Sequence, residues 1–447
     1  MSRFIALMSM IIFNQQLYSQ MIVAGADSLK QHYQNKASKY LDKDQSVSAH
    51  YTIDLYGISV YAGEKEKTQN KPEYKVTWQE LNIYKNMMHS LSRNEAMAVM
   101  QHKGSGPFSP EIQKTYYISP AAGNESNPQQ GLELNGLRIA LDPGHFGYDS
   151  LTILMEEKYL DFSLPSPGND SLKIKLHESY LTYVTAGSLE EMLRKAGATV
   201  FNTRPRYGVT SLGKTYQEWK RDDYARCLDS LLRLKPDDVN LKNLKSGKIK
   251  DDKSIFRYVF REIELKNRAE LIEAFKPDLT VIMHYNVDDR NKNWKKPSPN
   301  NFNLAFVAGS FMKGELDSPE ARFDFLRILI LDDLEQSISA SAYVTRSFSN
   351  DLHVPLAKTS DADYLSMYSV YTGKEGVYCR NLGLLRLLSG TVIYGETLFQ
   401  DNIMECQRLN MYNKDYISKG TAPARTEDVA MAYFNGIKTW ALMLIHD

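Results

Sequence analysis

Between Leu137 and Leu444 the chain alternates short apolar runs with longer stretches of helical period, and this alternation restricts the fold more than any other feature. LRIALDPGH (Leu137 to His145), ATVFNTR (Ala198 to Arg204), DLTVIMH (Asp278 to His284), NLAFVAG (Asn303 to Gly309) and GTVIYGE (Gly390 to Glu396) each read as a buried strand. Glu178 opens a periodic run whose apolar face carries Leu181, Val184, Leu189, Met192 and Leu193, and Gly197 ends it. A second helix passes through Arg268, Leu271 and Ile272, a third runs from Pro319 to about Ala342, and a closing helix carries Val429, Tyr433, Ile437, Trp440 and Leu444. Strands that read as continuous apolar runs must be covered on both faces. The pattern therefore predicts an α/β fold with a mostly parallel sheet flanked by helices.

The chain has 447 residues, enough for two domains. Arg3 and the apolar run FIALMSMIIF mark residues 1–20 as an export signal, with a buried N-terminal helix as the alternative. Residues 27–118 read as a small α+β module of unassigned role. Tyr51, Ile53 and Leu55 alternate with polar neighbours, Ile58 and Val60 resume after Gly57, and TWQE and SRNE are capping boxes at Thr77 and Ser92. His89 and His102 are lone histidines near helices and read as surface or packing residues. Residues 119–136, rich in Ser, Pro, Gly, Asn and Gln, read as a linker, and 137–447 as the catalytic domain with insertions near 146–177, 205–262 and 288–303.

Lys plus Arg equals Asp plus Glu at 54 each, so no net charge draws the chain to nucleic acid. Cys227, Cys379 and Cys406 form no CxxC pair, which argues against a thiolate zinc site and a disulfide framework. Open α/β sheets build their sites at the carboxyl ends of strands. His145, His284 and Glu396 each end an apolar run, and Glu178 heads a helix. Alone, Glu178 is a carboxylate at the positive end of a helix dipole, and His284 a satisfied histidine. Together, two imidazoles and one carboxylate make a zinc shell and the remaining carboxylate a base. His177 points about 100° away from Glu178 around a helix and does not share its metal. Glu156 and Glu157 are rival ligands.

The order DPGH, a Glu heading a helix, NTR, an Arg-bearing helix into a strand ending HxN, and a strand ending in Glu resembles the zinc-dependent N-acetylmuramoyl-L-alanine amidases of the amidase 3 family. The likeness spans about Leu137 to Leu444, including FNGI in the last helix. It implies Zn2+ held by His145, Glu178 and His284, with Glu396 as the catalytic carboxylate and Arg386, in NLGLLR, orienting substrate. The implied reaction hydrolyses the amide joining the lactyl group of N-acetylmuramic acid to the L-alanine of the stem peptide. Peptidoglycan is then the partner, an activator protein is a further possible one, and the location is periplasmic or cell-envelope associated. Phe146 stands where the family has glycine, and some thirty residues separate His145 from Glu178. The third insertion carries Trp294, able to stack on a sugar ring. These departures keep open two other readings: a non-catalytic cell-wall or divisome binding protein of the same fold, and an amidohydrolase for a soluble N-acyl amino acid.

Overall fold

The computed structural model of the chain describes residues 25–117, 133–165, 171–291, 296–410 and 422–444. The export-signal reading, most of the linker and Trp294 lie outside the described residues. Two compact units emerge: one takes the described residues of Met1–Asn124 together with Gly309–Asp332, the other those of Glu125–Ala308 together with Asp333–Asp447.

In the first unit, β1 (Tyr51–Ile53), β2 (Gly57–Val60) and β3 (Tyr74–Thr77) form an antiparallel sheet in that order. Asp54 closes the β1–β2 turn by accepting from the backbone N–H groups of Tyr56 (2.7 Å) and Gly57 (3.1 Å). Gly57 is at φ +151°, and a Cβ there would fall 2.2 Å from the carbonyl oxygen of Val76. Both capping boxes form, Thr77 with Glu80 and Ser92 with Glu95.

The helix expected from Pro319 to about Ala342 is two helices, Pro319–Ile330 and Asp333–Leu352, broken where Leu331 turns extended. The first of them belongs to the N-terminal unit, whereas the sequence pattern puts residues 309–332 in the domain 137–447. Every residue from Ala321 to Ile330 is buried, the charged Arg322, Asp324 and Arg327 among them, and the Asp324 carboxylate accepts from Arg93 at 2.7 and 2.8 Å.

The second unit contains β4 (Arg138–Pro143), β5 (Tyr159–Pro165), β6 (Ser171–His177), β7 (Thr199–Asn202), β8 (Leu279–Asn286), β9 (Leu304–Val307), β10 (Val370–Tyr371), β11 (Val377–Cys379) and β12 (Thr391–Phe399). Seven of these form one sheet in the order β10-β11-β9-β12-β8-β4-β7. The pairs β11·β9, β12·β8, β8·β4 and β4·β7 are parallel, while β12·β9 and β10·β11 are antiparallel. Helices Glu178–Lys195, Asp333–Leu352 and Ala424–Leu444 cover one face, with Leu181, Leu189, Val344, Phe348, Tyr433 and Trp440 in the core. Helix Arg261–Phe275 and the short helix Gly383–Leu387 cover the other, through Ile272, Leu384 and Leu385. Gly436 sets the spacing of the first layer, since a Cβ there would lie 2.6 Å from the Val344 Cα.

The 146–177 insertion is a helix (Ser150–Glu156) followed by the β5–β6 antiparallel hairpin. The 205–262 insertion is helical and has its own core of Trp219, Leu228, Leu231, Leu241, Val259 and Phe260. Phe146 is 2% exposed and plugs into this core, with ring centroids 5.0 Å from Phe260 and 5.8 Å from Phe256. The departure from glycine at Phe146 and the helical insertion are thus one feature.

Candidate metal centre and active site

β4 ends at Pro143 and the chain turns so sharply that His145 adopts φ +62°, a left-handed conformation uncommon outside glycine. Buried donors pin the turn. Arg204 of NTR donates through Nε and Nη2 to the Pro143 carbonyl (2.9 and 2.6 Å) and through Nη2 to that of Gly144 (2.9 Å). Thr182 Oγ1 donates to the Gly144 carbonyl at 2.6 Å, and Ser179 Oγ to that of Gly147. The Asp142 carboxylate accepts from Thr203 Oγ1 (2.5 Å) and Arg268 Nη1 (3.3 Å). Three separate sequence signals, DPGH, NTR and the Arg-bearing helix, are therefore one hydrogen-bonded assembly. Gly144 admits no side chain, because a Cβ would sit 2.3 Å from the His284 ring.

His145, Glu178 and His284 converge, with one potential ligand atom from each lying within 4.8 Å of the others. Glu178 Oε2 is 3.3 Å from His145 Nε2, and Oε1 is 2.8 Å from His284 Nδ1. Glu178 Oε1 also accepts from the Tyr285 N–H at 3.2 Å, fixing the carboxylate. The two imidazole planes are perpendicular with centroids 5.0 Å apart, and Tyr394 stacks on His284 at 4.6 Å and 7°.

Burial alone would raise the Glu178 carboxyl, but His145 and His284 hold it well below the usual range. Burial would likewise lower His145, yet Glu178 and Glu156 lift it to about 9. The two carboxylates thus call for positive charge at this point. A divalent cation between the imidazoles would supply it while displacing the proton. Two nitrogens and one oxygen suit zinc with a position left open.

Glu156, read as a rival ligand, takes another place. It faces His145 Nδ1 at 3.3 Å, on the ring nitrogen opposite the one near Glu178, and accepts from the N–H groups of Phe146 (3.0 Å) and Gly147 (2.6 Å). This partner favours the tautomer with the proton on Nδ1, leaving Nε2 for a metal. Glu157 is exposed and paired with Lys253 at 2.6 Å. His177 ends β6 and so precedes the helix of Glu178 instead of lying on it; it packs along Tyr207 and is outside the cluster. Glu156→Gln should weaken zinc binding by about 10- to 100-fold, the usual cost of losing such a partner. Competition against a chelating dye measures this, and unchanged affinity would remove Glu156 from the role.

Glu396 is the register partner of His284 across β12·β8 and lines the same cavity, of about 380 Å³, as His145, Glu178 and His284. Burial first, and then the charge of Glu178, pushes its carboxyl up to about 8 against the opposing Lys158, Arg380 and His145. A bound cation would draw it back down. Tyr394 precedes Glu396 by two residues on β12, so both point to one face of the sheet.

Arg386 does not line this cavity; its Nη1 donates to Asn381 Oδ1 at 3.2 Å. Arg380, at the end of β11, does line it, as does Lys158 beside the β5–β6 hairpin. Both arginines lie in the run CRNLGLLR, and spacing alone does not say which reaches the site.

One wall of the cavity is polar. Asp288 accepts from Ser298 Oγ (2.5 Å) and Asn300 Nδ2 (2.6 Å), and Asp401 behind it accepts from Asn291 Nδ2 (2.8 Å). Burial, opposed by the Asn291 hydrogen bond and reinforced by the charge of Asp288, raises Asp401 from 3.8 to about 6. The folded state therefore favours its protonated form. The stability this contributes is complete below its ordinary value and is lost as pH rises through about 6. Urea unfolding from pH 4 to 7 should show this fall, and Asp401→Asn should flatten it; an unchanged slope would assign the fall elsewhere.

No family model and no curated protein matches the sequence. Among solved structures, the chain is similar to the CwlD amidase from Clostridioides difficile in complex with the GerS lipoprotein, at 16% identity over 70% of this chain and 100% of that one, with a TM-score of 0.36. It is also similar to the apo form of the N-acetylmuramyl-L-alanine amidase Ami1 from Mycobacterium abscessus (14% identity, 68% of this chain and 99% of that one, TM-score 0.35). A third is the catalytic domain of CwlV, an N-acetylmuramoyl-L-alanine amidase from Bacillus (Paenibacillus) polymyxa (12% identity, 68% and 97%, TM-score 0.34).

Proposed function

We propose that this chain is a zinc-dependent amidase that hydrolyses the bond between the lactyl group of N-acetylmuramic acid and the L-alanine of peptidoglycan stem peptides. The observation that carries the reading is the convergence of His145, Glu178 and His284 within 4.8 Å, with Glu396 in the same cavity. The DPGH-to-Glu396 order of the sequence supports the choice of substrate.

His145, Glu178 and His284 would hold the metal. Bound there, zinc supplies Lewis acidity, lowering the pKa of water toward about 7 and stabilising negative charge on an amide oxygen. Glu396 takes a proton from the attacking water and delivers it to the departing nitrogen. Glu156 and Tyr394 keep the two imidazoles oriented, and the pinned 143–147 turn keeps His145 in place. A protein that only gripped the wall would have no chemical use for a carboxylate at position 396. Export through the N-terminal apolar run would bring the chain to its polymer in the cell envelope.

Digestion of purified peptidoglycan with added zinc, products identified by mass, tests the reading. Free stem peptides with an L-alanine amino terminus are expected. Sacculi left intact with and without candidate activators would sink it.

A further inference from the structure

We infer that Arg380 is a carboxylate-binding residue of the cavity, and that the preferred substrate carries a free carboxylate one residue beyond the alanine released. The inference rests on the amidase reading above. Arg380 follows β11, its backbone N–H anchored to the Val307 carbonyl at 2.9 Å. Its guanidinium lies over two rings, 5.1 Å from the centroid of Phe306 and 5.2 Å from that of Tyr364. The Tyr364 ring is itself fixed, its hydroxyl accepting from Asn286 Nδ2 at 2.8 Å.

Arg380 is half-buried, and the fully buried arginines of this unit spend their donors on protein: Arg268 on Asp142 and Glu264, Arg425 on Glu405, Arg204 on two carbonyls. The Arg380 side chain has no hydrogen bond or ion pair among the described residues, although it lines a cavity that contains carboxylates. Three of those carboxylates are committed elsewhere, and the fourth, Glu396, feels the charge of Arg380 without a hydrogen bond or ion pair to it. Asp288 is taken by Ser298, Asn300 and Arg290, Asp289 accepts from the Asp363 N–H, and Glu178 is in the metal cluster. An aromatic face holds a guanidinium through its π surface and leaves the planar N–H fork open at the edge. Such a fork matches a carboxylate with two parallel hydrogen bonds.

In a stem peptide the residue after L-alanine is a glutamate linked through its γ-carboxyl, so its α-carboxyl is either free or amidated. A fork beside the catalytic carboxylate distinguishes the two: the acid completes the pair, the amide presents only one acceptor and its N–H groups meet a cation.

The test compares kcat/KM of the zinc-loaded full chain on N-acetylmuramoyl-L-alanyl-D-glutamate and its D-isoglutamine counterpart. The wild type should favour the acid by roughly 10- to 100-fold, the range of a charged hydrogen bond. Arg380→Lys should erode this preference and Arg380→Ala abolish it, chiefly through KM. The acid-to-amide ratio is read within each variant, so partial loss of folded protein cancels. Equal rates on both substrates in the wild type would overturn the inference while leaving the amidase reading standing. So would an Arg380→Ala form that slows both substrates equally and shifts the pH profile of kcat, the signature of a residue that only tunes Glu396. If neither substrate is cleaved, the amidase reading fails, and calorimetric binding of the same pair to the Glu396→Gln protein decides: acid-selective binding lost in Glu396→Gln/Arg380→Ala sustains carboxylate recognition, and equal or absent binding overturns it.

Discussion

Replacing Glu396 with alanine should leave one zinc bound per chain and lower kcat by about 10²- to 10⁴-fold, the contribution of a positioned general base. The separation follows from geometry. The atoms that converge for a metal come from His145, Glu178 and His284, whereas Glu396 reaches the cavity from β12 with no hydrogen bond to its carboxylate among the described residues. The loss should fall on kcat, with KM little changed, because proton transfer is made in the transition state and not in substrate binding. Stability should hold or rise. Burial and the neighbouring Glu178 charge both disfavour an ionised Glu396, so removing it relieves a cost that the fold carries for its site. Metal stoichiometry by elemental analysis, steady-state kinetics and a melting curve on one preparation check all three parts. Loss of zinc in the variant would make Glu396 a ligand and reassign the base.

The strand runs and the four candidate residues that share one cavity could be read from sequence for a physical reason. β4, β8 and β12 are buried on both faces, so they appear as unbroken apolar runs; His145 lies just past the end of β4, and His284 and Glu396 lie two and three residues inside the carboxyl ends of β8 and β12. The β5–β6 hairpin also left its mark, in Leu160, Phe162 and Leu164 and in Leu172, Ile174 and Leu176 at period two. That signal is weak in the sequence, because polar residues fill the alternate positions. β10 and β11 are two and three residues long and exceed no background pattern. Other features depend on tertiary placement, which no local period encodes. The apolar helix Pro319–Ile330 announces that it is buried, not which unit buries it. Glu156 becomes a partner of His145 only because the chain folds back through helix Ser150–Glu156, and Arg380 rather than Arg386 enters the cavity because β11 ends there.

Arg268→Met should destabilise the fold by about 3–5 kcal/mol in urea, the cost of stranding buried charge. Arg268 is the cation between two carboxylates with almost no access to water: Nη1 lies 3.3 Å from Asp142 Oδ2 and Nε 2.8 Å from Glu264 Oε2, with side-chain exposures of 6%, 0% and 4% for Arg268, Asp142 and Glu264. Burial would strip its proton, but the two carboxylates hold it charged beyond the ordinary arginine range. Methionine fills the same volume without the charge. Asp142 then keeps Thr203 Oγ1, and Glu264 keeps only the Ser211 N–H at 3.4 Å. If stranded charge is the cause, adding Glu264→Gln should recover part of the loss, so that the double variant is more stable than Arg268→Met alone. Mere packing damage would make the two changes add. Because Asp142 begins the turn that carries His145, zinc affinity should fall with stability in Arg268→Met and return in part with Glu264→Gln. A variant that loses less than 1 kcal/mol, or a double variant no more stable than the single one, would show that the ion cluster does not hold the metal-bearing turn in place.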